Sequence, residues 1–71
     1  MKVEYDPHAL LQMEQRGVRE EHVRYVVENG RHVKDSDDRM AEVLEARILG
    51  RTYGVVVEWR GGEVAYIRTA W

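Results

Sequence analysis

An α+β fold is what this chain predicts, with two N-terminal helices packed on one face of a three- to four-stranded antiparallel sheet. Three observations carry it. Two short amphipathic stretches near the N-terminus are each closed by helix-stop residues, Gly17 and Asn29-Gly30. Arg51 to Trp59 and Val64 to Trp71 are runs of β-branched and aromatic residues separated by Gly61-Gly62. Tight turns between the later segments also collect their apolar residues on a common side.

Met1 to Tyr5 alternates Val3 and Tyr5 with Lys2 and Glu4, an extended lead-in or an edge strand. Asp6 then suits a helix N-cap and Pro7 the first helical position. Leu10, Met13 and Leu11 supply the apolar side of this first helix. Gly17 suits its left-handed close, and Val18 the hydrophobic contact that follows. Arg19 stands where Ser or Asp would cap the second helix, so that helix starts weakly. Glu20 and Glu21 favour its positive end. Val23, Val26 and Val27 form its buried stripe. A very short turn joins the two helices as a hairpin.

Arg31 to Lys34 is a candidate strand. Asp35-Ser36-Asp37-Asp38 reads as a solvated polar loop, because a calcium-binding EF-hand loop would need a glycine and a closing Glu that are missing. Met40 to Leu49 fits either a helix or a strand by pattern, and register decides. With Gly61-Gly62 as a two-residue turn, Trp59 faces Val64, Val57 faces Tyr66 and Val55 faces Arg68. With Gly50-Arg51 as another, Ile48 faces Tyr53 and Ala46 faces Val55. Leu44, Ala46, Ile48, Tyr53, Val55, Val57, Trp59, Val64 and Tyr66 then share one face. That surface is coherent enough for two helices to cover, so residues 42–49 are expected to be strand.

The 71 residues are expected to form a single domain, near the lower size limit for an unassisted core. Cysteine is absent, so neither disulfides nor thiolates can help. Oligomerisation is the remaining common aid. No run is apolar enough to span a bilayer and the first residues are no signal peptide, so a cytoplasmic protein with no membrane partner is expected. The net charge of -2 argues against non-specific nucleic-acid binding. Nine of the eleven cations are Arg, whose planar fork suits phosphate, although genome composition or heat adaptation would give the same bias.

His8-Ala9, Arg16-Gly17-Val18, Glu21, Val23 and Asn29-Gly30 make a pattern with Gly50-Arg51, Thr69 and Trp71. It resembles a family of small bacterial domains of unknown function, marked by His-Ala, then Arg-Gly-Ile, then a C-terminal β-meander. More distantly it is similar to the RelE/ParE and BrnT toxins, which share an α-α-β-meander plan. The resemblance implies a RelE/ParE-like meander and a toxin-like, RNA-directed role of the metal-independent ribonuclease type, with an antitoxin-type protein partner. The acidic balance departs from most such toxins, as does the lack of a C-terminal basic helix or tail.

Several residues follow as candidates. An imidazole titrates near neutrality, so His8 is a candidate general acid or base for RNA cleavage. Its alternative is a helix-start histidine bonded to a neighbour. Arg16 is the second candidate catalytic residue, as a phosphate holder. Its alternative is an ion pair with a second-helix Glu, or a cap on first-helix carbonyls. His22 and His32 read as surface residues, and three dispersed His suggest no metal site. Arg68 falls on the expected core face, where Asp6 or Glu21 would partner it. Tyr66, Trp59 and Trp71 read first as packing residues. On the open face, Gly54 lies between Arg47 and Thr69 in the expected register. A strand glycine there would leave a slot, making Arg47, Gly54 and Thr69 a candidate substrate-binding group. Its alternative is a bulge or bend in the sheet. That same face carries Val56, Ile67 and Trp71, which supports a second reading as a non-catalytic interaction or homodimerisation domain. No cofactor is expected.

Overall fold

The computed structural model describes residues 1–35 and 41–71. The chain runs β1 (Lys2–Tyr5), α1 (Pro7–Arg16), α2 (Glu20–Asn29), β2 (Arg31–Asp35), β3 (Ala41–Ile48), β4 (Arg51–Arg60) and β5 (Val64–Ala70). The strands form one five-stranded sheet in the order β1-β5-β4-β3-β2. The fold class is α+β as expected, but the sheet is larger than expected and mixed. β1 joins as an edge strand running parallel to β5. Ser36, Asp37 and Asp38 of the expected polar loop lie outside the described residues.

α1 begins and ends as its sequence dictates. The Asp6 carboxylate accepts from the His8 amide at 2.8 Å, and Pro7 needs no amide partner at the first helical position. Gly17 closes the helix at φ 67°, and the Val18 amide returns to the Met13 carbonyl at 2.9 Å. The buried side of α1 differs from expectation. Ala9 and the expected Met13 face the core, joined by Val18 just past the helix, whereas Leu10 and Leu11 are about half exposed. α2 buries Val23, Val26 and Val27, the stripe read from spacing. Its weak start is reinforced from inside the helix: Nδ1 of His22 accepts from the Arg19 amide at 3.0 Å. The His22 ring also stacks on Tyr53 at 4.4 Å. His22 is therefore a capping and packing residue rather than a bare surface one.

Residues 42–48 are strand as expected, yet both hairpin registers differ from expectation, with different consequences. Between β3 and β4 the turn residues are Leu49 and Gly50, at φ 49° and 84°. Ile48 consequently faces Arg51, and Ala46 faces Tyr53. This is a slip of two residues, which preserves every face. Between β4 and β5 the loop is three residues, Gly61 to Glu63, and Arg60 faces Val64. That one-residue slip turns β5 over. Ala65 and Ile67 are fully buried beneath the helices, whereas Tyr66 leaves the face expected for it and pairs with Glu58. Burying isoleucine in place of a phenol and a guanidinium is the physical reason. A bulge then makes Arg68 the extra residue, so that Thr69 faces Val56 and Ala70 faces Val55.

The core consists of one side of β3, β4 and β5 under α1 and α2, centred on Val23, Val26, Val55, Val57 and Ile67. Among the described residues, no helix is long and apolar enough to cross a membrane.

Candidate functional site

β1 is short, so β5 continues past it with a bare edge, and α1 covers that edge. The Asp6 amide bonds the Ile67 carbonyl at 2.8 Å. One turn on, Oε1 of Gln12 accepts from the Ala70 amide at 3.2 Å. At the end of α1, Arg16 donates to the Ala70 carbonyl at 2.9 Å. The helix thus stands in for a missing strand and satisfies backbone groups that would otherwise be orphaned. Arg16 makes this contact rather than either structural contact expected for it. Its own carbonyl accepts from Arg51 at 2.8 Å, and Arg51 lies over the Tyr53 ring at 4.4 Å.

The start of α1 gathers a group of bonded polar side chains. Asp6 uses both carboxylate oxygens, one on the His8 amide and one on the Tyr66 hydroxyl, each at 2.8 Å. The His8 amide, then the Tyr66 hydroxyl, hold the Asp6 carboxyl below its usual range, and the charges of His8 and Arg68 act in the same direction. The same bond keeps the Tyr66 phenol protonated above its usual range. Arg60 lies over the Tyr66 ring at 3.7 Å and is anchored to Glu58 at 2.7 Å. Arg68 is the bulge residue rather than a core-facing one, and its charge is a minor influence on Asp6.

His8 is exposed and its orientation is determined by Gln12. Because Oε1 of Gln12 faces an amide donor, its Nε2 must face His8, and it does so at 3.0 Å. An amide nitrogen only donates. Nε2 of His8 therefore accepts, and the neutral ring carries its proton on Nδ1. Tyr66, expected as a packing residue, instead bonds Asp6, because the turned register of β5 takes it off the core face.

The other expected site residues are not gathered here. His8 and Arg16 occupy opposite ends of α1. Arg47 faces Thr52, not Gly54, and donates to the Gly50 carbonyl at 2.8 Å. Gly54 sits between Glu45 and Trp71. A Cβ added at Gly54 would overlap the Trp71 indole. The slot expected over this glycine is therefore filled by the chain itself. Thr69 is a half-buried neighbour of Val56. The apolar open face shrinks accordingly: Ile67 belongs to the core, and Trp71 lies against Gly54.

Among the described residues no three His, Asp or Glu side chains converge as a metal-ligand cluster. Trp59, expected as a packing residue, is half buried against the core and donates to Glu42 at 3.4 Å.

Residues 5–71 match a family described as a domain of unknown function (DUF4258). The chain belongs to this family. The match spans α1, α2 and β2–β5, so the Asp6, His8 and Tyr66 group lies inside the DUF4258 domain. No curated protein and no solved structure matches the chain.

Proposed function

We propose that this DUF4258 domain acts on RNA as a metal-independent ribonuclease of the toxin type, with His8 as its acid–base group. The observation that carries the reading is the orientation of His8. An exposed imidazole is oriented by Gln12 at the helix start, where the charge of Asp6 acts on it, and Asp6 in turn is bonded to Tyr66 and within reach of the Arg68 charge. Cleavage of this kind needs a base for the ribose 2′-hydroxyl and positive charge near the phosphate. Nε2 of His8 takes the hydroxyl proton as the Gln12 amide yields its place. The 2′-oxygen then bonds to phosphorus, and the 5′-oxygen departs and is protonated by solvent. The products are a 2′,3′-cyclic phosphate and a free 5′-hydroxyl. Arg68 supplies charge beside this centre in the role first considered for Arg16. Asp6 and Tyr66 position the start of the helix.

The α-α-β order and the resemblance to RelE/ParE and BrnT toxins support the same reading, as analogy of plan alone. The test is cleavage of RNA by the purified protein with chelator present. His8→Ala should remove cleavage and leave the melting temperature near wild type. No cleavage by the wild type across a panel of RNAs would overturn the reading.

A second reading, an interaction module that forms a homodimer or binds an antitoxin-type partner, is favoured by Leu49. This residue is fully exposed at the β3–β4 turn, in a backbone conformation that leucine rarely adopts. Leu49→Asn would suit the turn and should leave the fold unchanged. If the interaction reading holds, the substitution should abolish association in light scattering or pull-down with the neighbouring gene product.

A further inference from the structure

A cleft of about 570 Å³ lies at the opposite edge of the sheet from the α1 group. β2 begins at Arg31, facing Glu45, whereas β3 continues to Ile48, and among the described residues no strand pairs with it beyond that point on this side. The last turn of α2 stands over the overhang. The cleft between them is lined by Tyr25, Asn29, Arg31, Glu45, Arg47 and Thr52. Gly30 makes this arrangement possible. A Cβ there would run into the Val26 and Glu45 carbonyl oxygens, so only glycine lets α2 pass so tightly into β2.

The donors in the cleft are prepared. Strand alternation puts Arg31, Glu45 and Arg47 on the same face, with Glu45 opposite Arg31 and two residues before Arg47 along β3, while Tyr25 and Asn29 reach the cleft from α2 at the sheet edge. Neither guanidinium is ion-paired among the described residues. Arg47 is oriented by its bond to the Gly50 carbonyl. Tyr25 is about half exposed and presents a ring at the cleft wall. Asn29 bonds the Tyr25 carbonyl at 3.2 Å, which fixes the amide at the rim.

One ligand chemistry uses all of these groups. Guanine carries two adjacent donors, N1–H and the 2-amino group, which match a carboxylate, and two acceptors, O6 and N7, which match a guanidinium fork. A tyrosine ring offers a stacking surface for the base, and a second guanidinium suits the phosphate. Adenine would set its N1 lone pair against the carboxylate. We infer that this cleft is a guanine-nucleotide subsite, with Glu45 reading the N1 and 2-amino edge, Arg31 the O6 and N7 edge, Tyr25 stacking on the base and Arg47 holding the phosphate. The inference rests on the RNA-directed reading for its place in function, because it makes the cleft the recognition subsite for an RNA cleaved at His8. Its ligand could be a free nucleotide or a residue of RNA, and the experiment separates the two.

The test is amide chemical-shift titration of the full chain with GMP, AMP, a short guanine-containing RNA and its adenine-substituted counterpart. GMP should bind at least about tenfold more tightly than AMP, as expected when one bidentate base pairing is lost. The shifts should centre on Asn29, Arg31, Glu45 and Thr52. Tighter binding of the guanine-containing RNA than of GMP identifies RNA as the source, whereas equal binding identifies the free nucleotide. Glu45→Gln is nearly isosteric and should erase the preference for GMP without lowering the melting temperature. Arg31→Ala, at an exposed position, should weaken GMP about tenfold. His8→Ala should bind GMP like wild type, so that the cleft is judged even if no RNA is cleaved. Equal binding of GMP and AMP by the wild type, an unchanged preference in Glu45→Gln, or shifts centred elsewhere would each overturn the inference. RNA cleavage without GMP binding would overturn it and leave the His8 reading standing.

Discussion

Gly54 and Trp71 should be strongly coupled, and the size of that coupling follows from their contact. The space a Cβ would need at Gly54 is taken by the Trp71 indole. Gly54→Ala therefore overpacks the site, at a cost of about 1–3 kcal/mol. Trp71→Ala removes the indole. A half-buried tryptophan covers roughly 100 Å², worth about 2.5 kcal/mol at ~25 cal/mol per Å². In that background the space is empty, and replacing a strand glycine by alanine should stabilise by about 0.5–1 kcal/mol. The difference between backgrounds is a coupling of about 1.5–4 kcal/mol. A domain of this length has a stability of about 4–10 kcal/mol, so the double variant should still fold. Urea denaturation followed by far-ultraviolet circular dichroism gives all four stabilities without relying on tryptophan emission. If Gly54→Ala costs the same in both backgrounds, within about 0.5 kcal/mol, then the indole does not sit over the glycine and the β4–β5 register is wrong.

Two further outcomes follow. Asp6 is held below its usual range by the His8 amide and the Tyr66 hydroxyl, so its stabilising contribution is complete above the unfolded carboxyl value and is lost as pH falls through the lower folded value. Tyr66→Phe should raise the Asp6 titration midpoint and move the acid limb of stability upward in pH. Carbon-detected titration of the Asp6 carboxyl measures this, and an unmoved midpoint would break the assigned bond. Arg16→Met and Gln12→Leu should each cost about 1 kcal/mol. Gln12→Leu should also speed hydrogen exchange of the Ala70 amide, and unchanged exchange would show that α1 does not cap β5.

The elements that could be read directly from the chain were those governed by neighbours a few residues apart. Asp6, Pro7 and Gly17 bound α1 through bonds that stay within a turn of helix. The Val23, Val26 and Val27 stripe identified the buried side of α2, and the alternation from Val43 to Ile48 identified a strand. His8 was visible as a candidate because a titratable ring stands out at a helix start. The register was harder. Leu49 is an unusual residue for a left-handed turn position, so the expected turn fell on Gly50-Arg51 and erred by an even slip that changed no face.

Tertiary structure decided what depends on distant residues meeting. Gly61-Gly62 is compatible with loops of two or three residues, and the choice turns β5 over. Burial across the whole sheet made that choice, by placing Ala65 and Ile67 under the helices and Tyr66 opposite. The bulge at Arg68 then restored Thr69 and Trp71 to the open face, which no local signal marks. The bond between Asp6 and Tyr66 spans 60 residues of chain, and the parallel pairing of β1 with β5 joins the two ends of the sequence. Local spacing determined which segments are helix and strand, because capping and side-chain periodicity act within a few residues. Which face each strand shows, and hence which side chains meet at His8 and at Gly54, was set by the summed burial of the sheet, where a single-residue slip exchanges every inward side chain for an outward one.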